Sequence, residues 1–131
     1  MTTSVPDRNA VGWFELYVAD LSRAKAFYQA VLQRPMEDLT APPGSDLQMC
    51  AFTMNPEGGG SAGALVKSPY GKPGIGGTLV YFSCADCAVE AGRAATHGGT
   101  IFQPKTSIGP YGFIAVVQDT EGNSIGLHSM T

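Results

Sequence analysis

The sequence predicts an α+β domain built from two βαβββ modules, and three observations carry that prediction. A strand-like run, an Asp and a helical run occur in this order twice, over residues 12–33 and again over 77–98. The two Asp residues, Asp20 and Asp86, lie 66 positions apart, half of the 131-residue chain. Each repeat is followed by short β-rich runs separated by Gly- and Asn-containing turns. Paired modules of this kind fold over a shared concavity.

The first repeat opens with a strand at 11–18, in which Trp13, Glu15 and Tyr17 share one face and Phe14, Leu16 and Val18 the other. Asp20 is placed to N-cap the helix that follows. In that helix Leu21, Ala24, Phe27, Tyr28 and Val31 recur at helical spacing and predict a sheet-facing side. Pro35 ends it. Strands are expected at 47–54 and 62–67, joined by the turn 55–61 (NPEGGGS). In the second repeat a strand at 78–84 leads through Asp86 to a helix that stops at Gly98-Gly99. Strands follow at 100–102, 112–118 and 124–129, the last two joined by the DTEGN turn. The expected boundaries are a flexible N-terminal arm at 1–10, module one at 11–67, a linker at 68–76 and module two at 77–129, all in one domain of 11–131.

Composition narrows the function. With 44% hydrophobic and 15% charged residues the chain has the balance of a folded globular protein rather than a disordered one. A net charge of −3 without a Lys/Arg run or a basic aromatic stripe argues against nucleic acid and anionic membranes as partners. No apolar run approaches a membrane span, and MTTSVPDRNA lacks the apolar core of a signal peptide, so a cytoplasmic location is expected. Three cysteines without a secretion signal predict free thiols.

The run FELYVADLSRAKAFYQAVL, followed far downstream by GFIAVVQDTEGNSIGLHS, resembles the vicinal oxygen chelate superfamily of glyoxalase I, bleomycin-resistance proteins and extradiol dioxygenases. The likeness spans about 11–129, with Thr120 where the family often has Pro. It implies the glyoxalase/bleomycin resistance/dihydroxybiphenyl dioxygenase-like fold, with eight strands curled into a cup, and a homodimer. Metal-dependent members hold a divalent ion with His, Glu or Gln from four strands, because a cation that polarises a carbonyl or stabilises an enediolate needs converging N/O donors. Carried over by motif, those positions fall on Trp13, Ala64, Leu79 and Gly126. None offers a donor side chain of that kind. A shifted Glu15/His128 pair supplies two ligands and no third, so no cofactor is expected.

What remains on the cup-facing positions is an apolar, aromatic surface with a few polar groups, the usual composition of a ligand pocket. The expected ligand-binding residues are Trp13, Glu15, Tyr17, Tyr81, Ser124 and His128. The leading reading is a small-molecule-binding protein of the glyoxalase/bleomycin-resistance type without the usual metal ligands. A second is a glyoxalase-like lyase or isomerase acting next to a carbonyl, either metal-independent with Glu15 and His128 as catalytic base and acid or with a divalent metal held at a non-standard site. A third is a protein-interaction module whose cup is packed shut by the same aromatics. Cys84-x-x-Cys87 stands at a strand-to-helix turn, where a redox pair is weighed against two packed thiols, with Asp86 between them opposing thiolate. Cys50 reads as core, and His97 as a cap or a solvent-facing residue. The Gly-rich runs lack the GK[ST] of a phosphate loop and read as hinges, and the segments 55–61 and 105–111 as mobile lips of the cup.

Overall fold

A computed structural model describes residues 8–131. Eight strands and two helices follow one another as two βαβββ repeats. The strands are β1 (Val11–Tyr17), β2 (Met36–Leu39), β3 (Gln48–Phe52), β4 (Ala64–Lys67), β5 (Thr78–Ser83), β6 (Thr100–Ser107), β7 (Phe113–Gln118) and β8 (Ser124–Ser129). The helices are α1 (Leu21–Leu32) and α2 (Cys87–Thr96). The contacts fall into two compact units: residues 13–80, and residues 81–131 together with the described N-terminal residues as far as Gly12.

In the first unit the strand order is β2-β3-β4-β1, with β4 and β1 parallel and the other pairs antiparallel. Asp20 caps α1 as its position predicts, its Oδ1 accepting the Arg23 N–H at 3.0 Å. The helix ends where Gln33 turns into the left-handed region, φ 51°. Alternation along β1 sends Phe14, Leu16 and Val18 to the side where Met36, Cys50, Phe52 and Leu65 form a core with Leu21, Ala24 and Tyr28 of α1. Tyr28 meets Phe52 edge to face at 6.0 Å. Phe27 and Val31, expected on the packed side, are 58% and 59% exposed. The stripe that reaches the sheet is the narrower one through Leu21, Ala24 and Tyr28, and one helical turn cannot point Phe27 and Tyr28 the same way. Strand β2 was not located by sequence: Glu37 and Asp38 break its apolar alternation, and it exists because β3 pairs with it.

The second unit has the order β5-β8-β7-β6, with β5 and β8 parallel. Asp86 caps α2 through the Ala88 N–H at 3.0 Å, and His97 ends the helix with its Nδ1 2.8 Å from the Arg93 carbonyl oxygen. Cys87 and Ala91 pack on Ala115, Val117 and Leu127. Strand β6 is longer than expected and continues through Pro104. An edge position tolerates the missing N–H, and the register slips on both sides of Gln103. The segment 105–111 is therefore not a free lip. Lys105 lies within β6, and its ammonium donates to Asp86 Oδ1 at 2.9 Å and to the Thr131 carbonyl at 3.0 Å. Most of the expected N-terminal arm lies outside the described residues. At its end, the Ala10 carbonyl accepts the Ser83 N–H at 2.8 Å.

Candidate functional site

Strand β1 positions the first half of the candidate site. The face opposite α1 carries Trp13, Glu15 and Tyr17, all half-buried. Beneath and beside the rings lie Ala51, Ala64 and Val66, with Leu39, Leu47 and Met49 packed around them. Glu15 stands directly across from Ala64 in the β1–β4 ladder, so the carboxylate rises beside a methyl group rather than a bulky neighbour. The Trp13 indole Nε1–H donates to Glu15 Oε2 at 3.3 Å. Burial, and next the negative charge of Glu15, raise the Tyr17 phenol above its ordinary pKa. A side chain on Gly71 would strike the Tyr17 ring, so this turn passes against the ring only as glycine.

In the other unit, Tyr81 of β5 is buried and paired with Gly126 of β8, and Ser83 is paired with His128. Ser124 is exposed at the opposite end of β8 from His128, across from Gln118. The His128 Nε2 lies 2.6 Å from the Tyr111 carbonyl oxygen. A carbonyl only accepts, so that nitrogen carries the proton and Nδ1 is the one left for chemistry. The structure thus groups Trp13, Glu15 and Tyr17 in one unit, and Tyr81, Ser83, Gly126 and His128 in the other.

Two recesses were not foreseen. One, of about 260 Å³, lies at the His128 end of β8 and is lined by Arg8, Ser83, Cys84 and the residues after His128. Strand alternation already puts Ser83 on the same face as Leu79 and Tyr81, the face expected to line the cup, whereas Arg8 carried no signal at all. The other, of about 340 Å³, lies on the α1 side between Val18, Arg23, Phe27, Tyr28 and Pro73, away from the aromatic face.

The cysteines are free thiols. Cys87 is fully buried, and its N–H is satisfied by Ser129 Oγ at 3.0 Å. The Cys84 thiol is pushed up to about 12 by burial, then by a hydrogen bond to Glu90 and that residue's charge. A thiol held protonated is not a nucleophile at neutral pH. The acid that opposes its ionisation is Glu90, not Asp86 as the sequence suggested.

The four positions to which the resemblance carries the family's metal ligands hold side chains that do not fit a metal. Ala64 is fully buried, Leu79 is buried, Gly126 faces the Tyr81 ring, and the Trp13 N–H is directed at Glu15. Among the described residues no group of three His, Cys, Asp or Glu side chains is placed to hold an ion.

Two βαβββ repeats, each with its helix packed on one face of its own strands, define a class. The chain belongs to the Glyoxalase/Bleomycin resistance protein/Dioxygenase superfamily, whose sequence pattern matches residues 10–127. Among solved structures it is similar to Streptomyces coelicolor methylmalonyl-CoA epimerase in complex with 2-nitronate-propionyl-CoA. That match has 17% identity and a TM-score of 0.69, and covers 94% of this chain and 98% of that one. It is also similar to the Mycobacterium tuberculosis methylmalonyl-CoA epimerase (13% identity, TM-score 0.70, 99% and 93% covered). A hypothetical protein from Bacillus halodurans matches at 12% identity and a TM-score of 0.67, with 92% and 94% covered. At these identities the likeness is one of fold. No curated protein sequence matches the chain. Among the described residues no helix is long and apolar enough to cross a membrane.

Proposed function

We propose that this protein binds a small organic molecule against the Trp13–Glu15–Tyr17 face and needs no metal ion to do so. The observation that carries the reading is the pairing of two half-buried aromatic rings with the small side chains Ala51 and Ala64, and with one oriented carboxylate between the rings. Rings over small residues accept a flat or acyl group, and a single fixed carboxylate orients its polar end. The fold relatives that bind CoA derivatives make acyl-CoA thioesters the first ligands to try. The reading carries with it a cytoplasmic homodimer with reduced thiols.

Trp13 is the only tryptophan in the chain, so its emission reports directly on this face. Titration with short acyl-CoA thioesters and aromatic carbonyl compounds is expected to give a saturable emission change that Tyr17→Ala weakens at least tenfold. A panel that moves neither the emission nor the melting temperature at millimolar concentration would overturn the reading. One stoichiometric metal ion in the purified protein would overturn its metal-free part.

A second reading is favoured by the indole N–H held against Glu15. A positioned carboxylate can take a proton from the carbon next to a thioester or ketone carbonyl, leaving an enolate, and then return it, as an isomerase requires. Incubation of the ligand with protein in deuterium oxide tests this. Mass gain at that carbon, lost in Glu15→Gln while binding persists, would establish turnover. Absence of exchange with a bound ligand leaves binding alone as the activity.

A further inference from the structure

We infer that Tyr81 and Gly126 form a ring seat that closes, by shape, the position from which the family's fourth metal ligand would project. The inference shares the metal-free reading above and adds its cause in the second module.

The parallel β5–β8 register places Tyr81 directly opposite Gly126. A Cβ built on Gly126 would run into Tyr81 Cδ1 and Cε1 and come within 2.7 Å of Cγ. Gly126 is not one of the positive-φ glycines, so its backbone is open to any residue. The ring is what excludes a side chain there. Tyr81 is only 7% exposed, and a buried ring cannot swing aside without opening a void in its surroundings. Along β8, Leu127 packs toward α2, so Ser124, Gly126 and His128 share the other face. The ring therefore lies across the middle of the three positions on that face, with Ser124 and His128 on either side of Gly126 along the strand. A carboxylate at 126 has no path past the ring. With the ring removed, it would stand two residues from His128 on the same face.

A double-variant cycle tests this. Gly126→Ala and Gly126→Glu are each expected to melt below the wild type. Tyr81→Ala is also expected to melt lower, for loss of the ring. The Tyr81→Ala/Gly126→Glu double variant should melt above Gly126→Glu alone and bind Zn²⁺ at least tenfold more tightly, through the introduced carboxylate and His128. Additive losses of melting temperature, or equal Zn²⁺ affinity for Gly126→Glu with and without the ring, would overturn the inference. Should Gly126→Glu fail to fold, Gly126→Ala reads the same coupling. A wild-type protein that binds one metal ion per chain, with the cycle still non-additive, would sink the metal-free function and leave the ring seat standing.

Discussion

Trp13 and Glu15, two residues apart on one face of β1, are joined side chain to side chain, the indole N–H donating to the carboxylate at 3.3 Å. A hydrogen bond to a charged acceptor in a half-buried setting contributes about 1.5–3 kcal/mol, enough to hold both side chains in place. The strand period of two makes the contact possible, since only every second residue shares a face.

The charge of Glu15 accordingly reaches the only fluorophore of its kind in the chain. Glu15→Gln is expected to shift the Trp13 emission maximum, whereas Leu16→Val, on the opposite face, leaves it in place. Identical spectra for wild type and Glu15→Gln would show that the contact is absent in solution.

Stability should fall in strongly alkaline solution because of Cys84. Its thiol is raised from the ordinary 9.0 to about 12 in the folded chain, so folding favours the neutral form. That contribution is complete below pH 9 and disappears as the pH rises toward 12. Cys84→Ser is expected to flatten this alkaline loss in urea unfolding curves. Iodoacetamide at pH 8 should alkylate Cys84 far more slowly in native than in denatured protein, as read by mass spectrometry.

Asp86 behaves in the opposite sense. The Lys105 ammonium first, and then the Ala88 N–H, lower its carboxyl below the usual 3.8. Its contribution is present above that value and is lost as the pH falls through the lowered one. Asp86→Asn keeps a capping oxygen but loses the ion pair, and Asp86→Ala loses both. The melting temperatures should rank wild type, Asn, Ala at pH 7, and the wild-type advantage over Asn should shrink as the pH falls below 3.8 and the folded carboxyl takes up its proton.

Ser129 is buried, takes the Cys87 N–H at the start of α2 and donates to the Thr131 carbonyl at 2.9 Å. Ser129→Ala leaves that N–H unpaired in the interior and should cost about 1–3 kcal/mol in denaturant unfolding. Ser129→Thr keeps the hydroxyl and should recover part of the loss.

Two glycines of one loop region should respond in opposite directions. Gly63 has φ +81° and faces the Phe14 ring, so Gly63→Ala suffers both strain and overlap, roughly 1–3 kcal/mol. Gly59 has nothing within 4 Å and no positive φ. Gly59→Ala should be neutral or stabilise by about 0.4–1 kcal/mol, because it restricts the unfolded chain. Urea midpoints for the pair check the contrast.

Much of this architecture was readable in one dimension. Asp20 and Asp86 marked both helix starts because a capping carboxylate is a local device, needing only the N–H groups two or three residues ahead. The alternation of 13–18 told which side chains share a face. Strand β2 and the length of β6 were not readable. Met36–Leu39 carries two acids, and 100–107 contains Pro104, so both are strands only because β3 and β7 pair with them. Phe27 and Val31 satisfied the helical period and yet face outward, since the period defines a stripe but not how far a neighbour covers it.

For the candidate site the division is similar. Sequence alone determined that Trp13, Glu15 and Tyr17 stand together, because identity and strand period are properties of the chain itself. Only the tertiary structure decided that Glu15 is tied to the indole, that the His128 Nε2 is held by Tyr111, that burial and then Glu90 raise Cys84, and that Tyr81 fills the space above Gly126. Apart from the Trp13–Glu15 contact, these relations join residues from different elements or different turns of the chain. Their distances are set by strand register and packing, which no local pattern encodes.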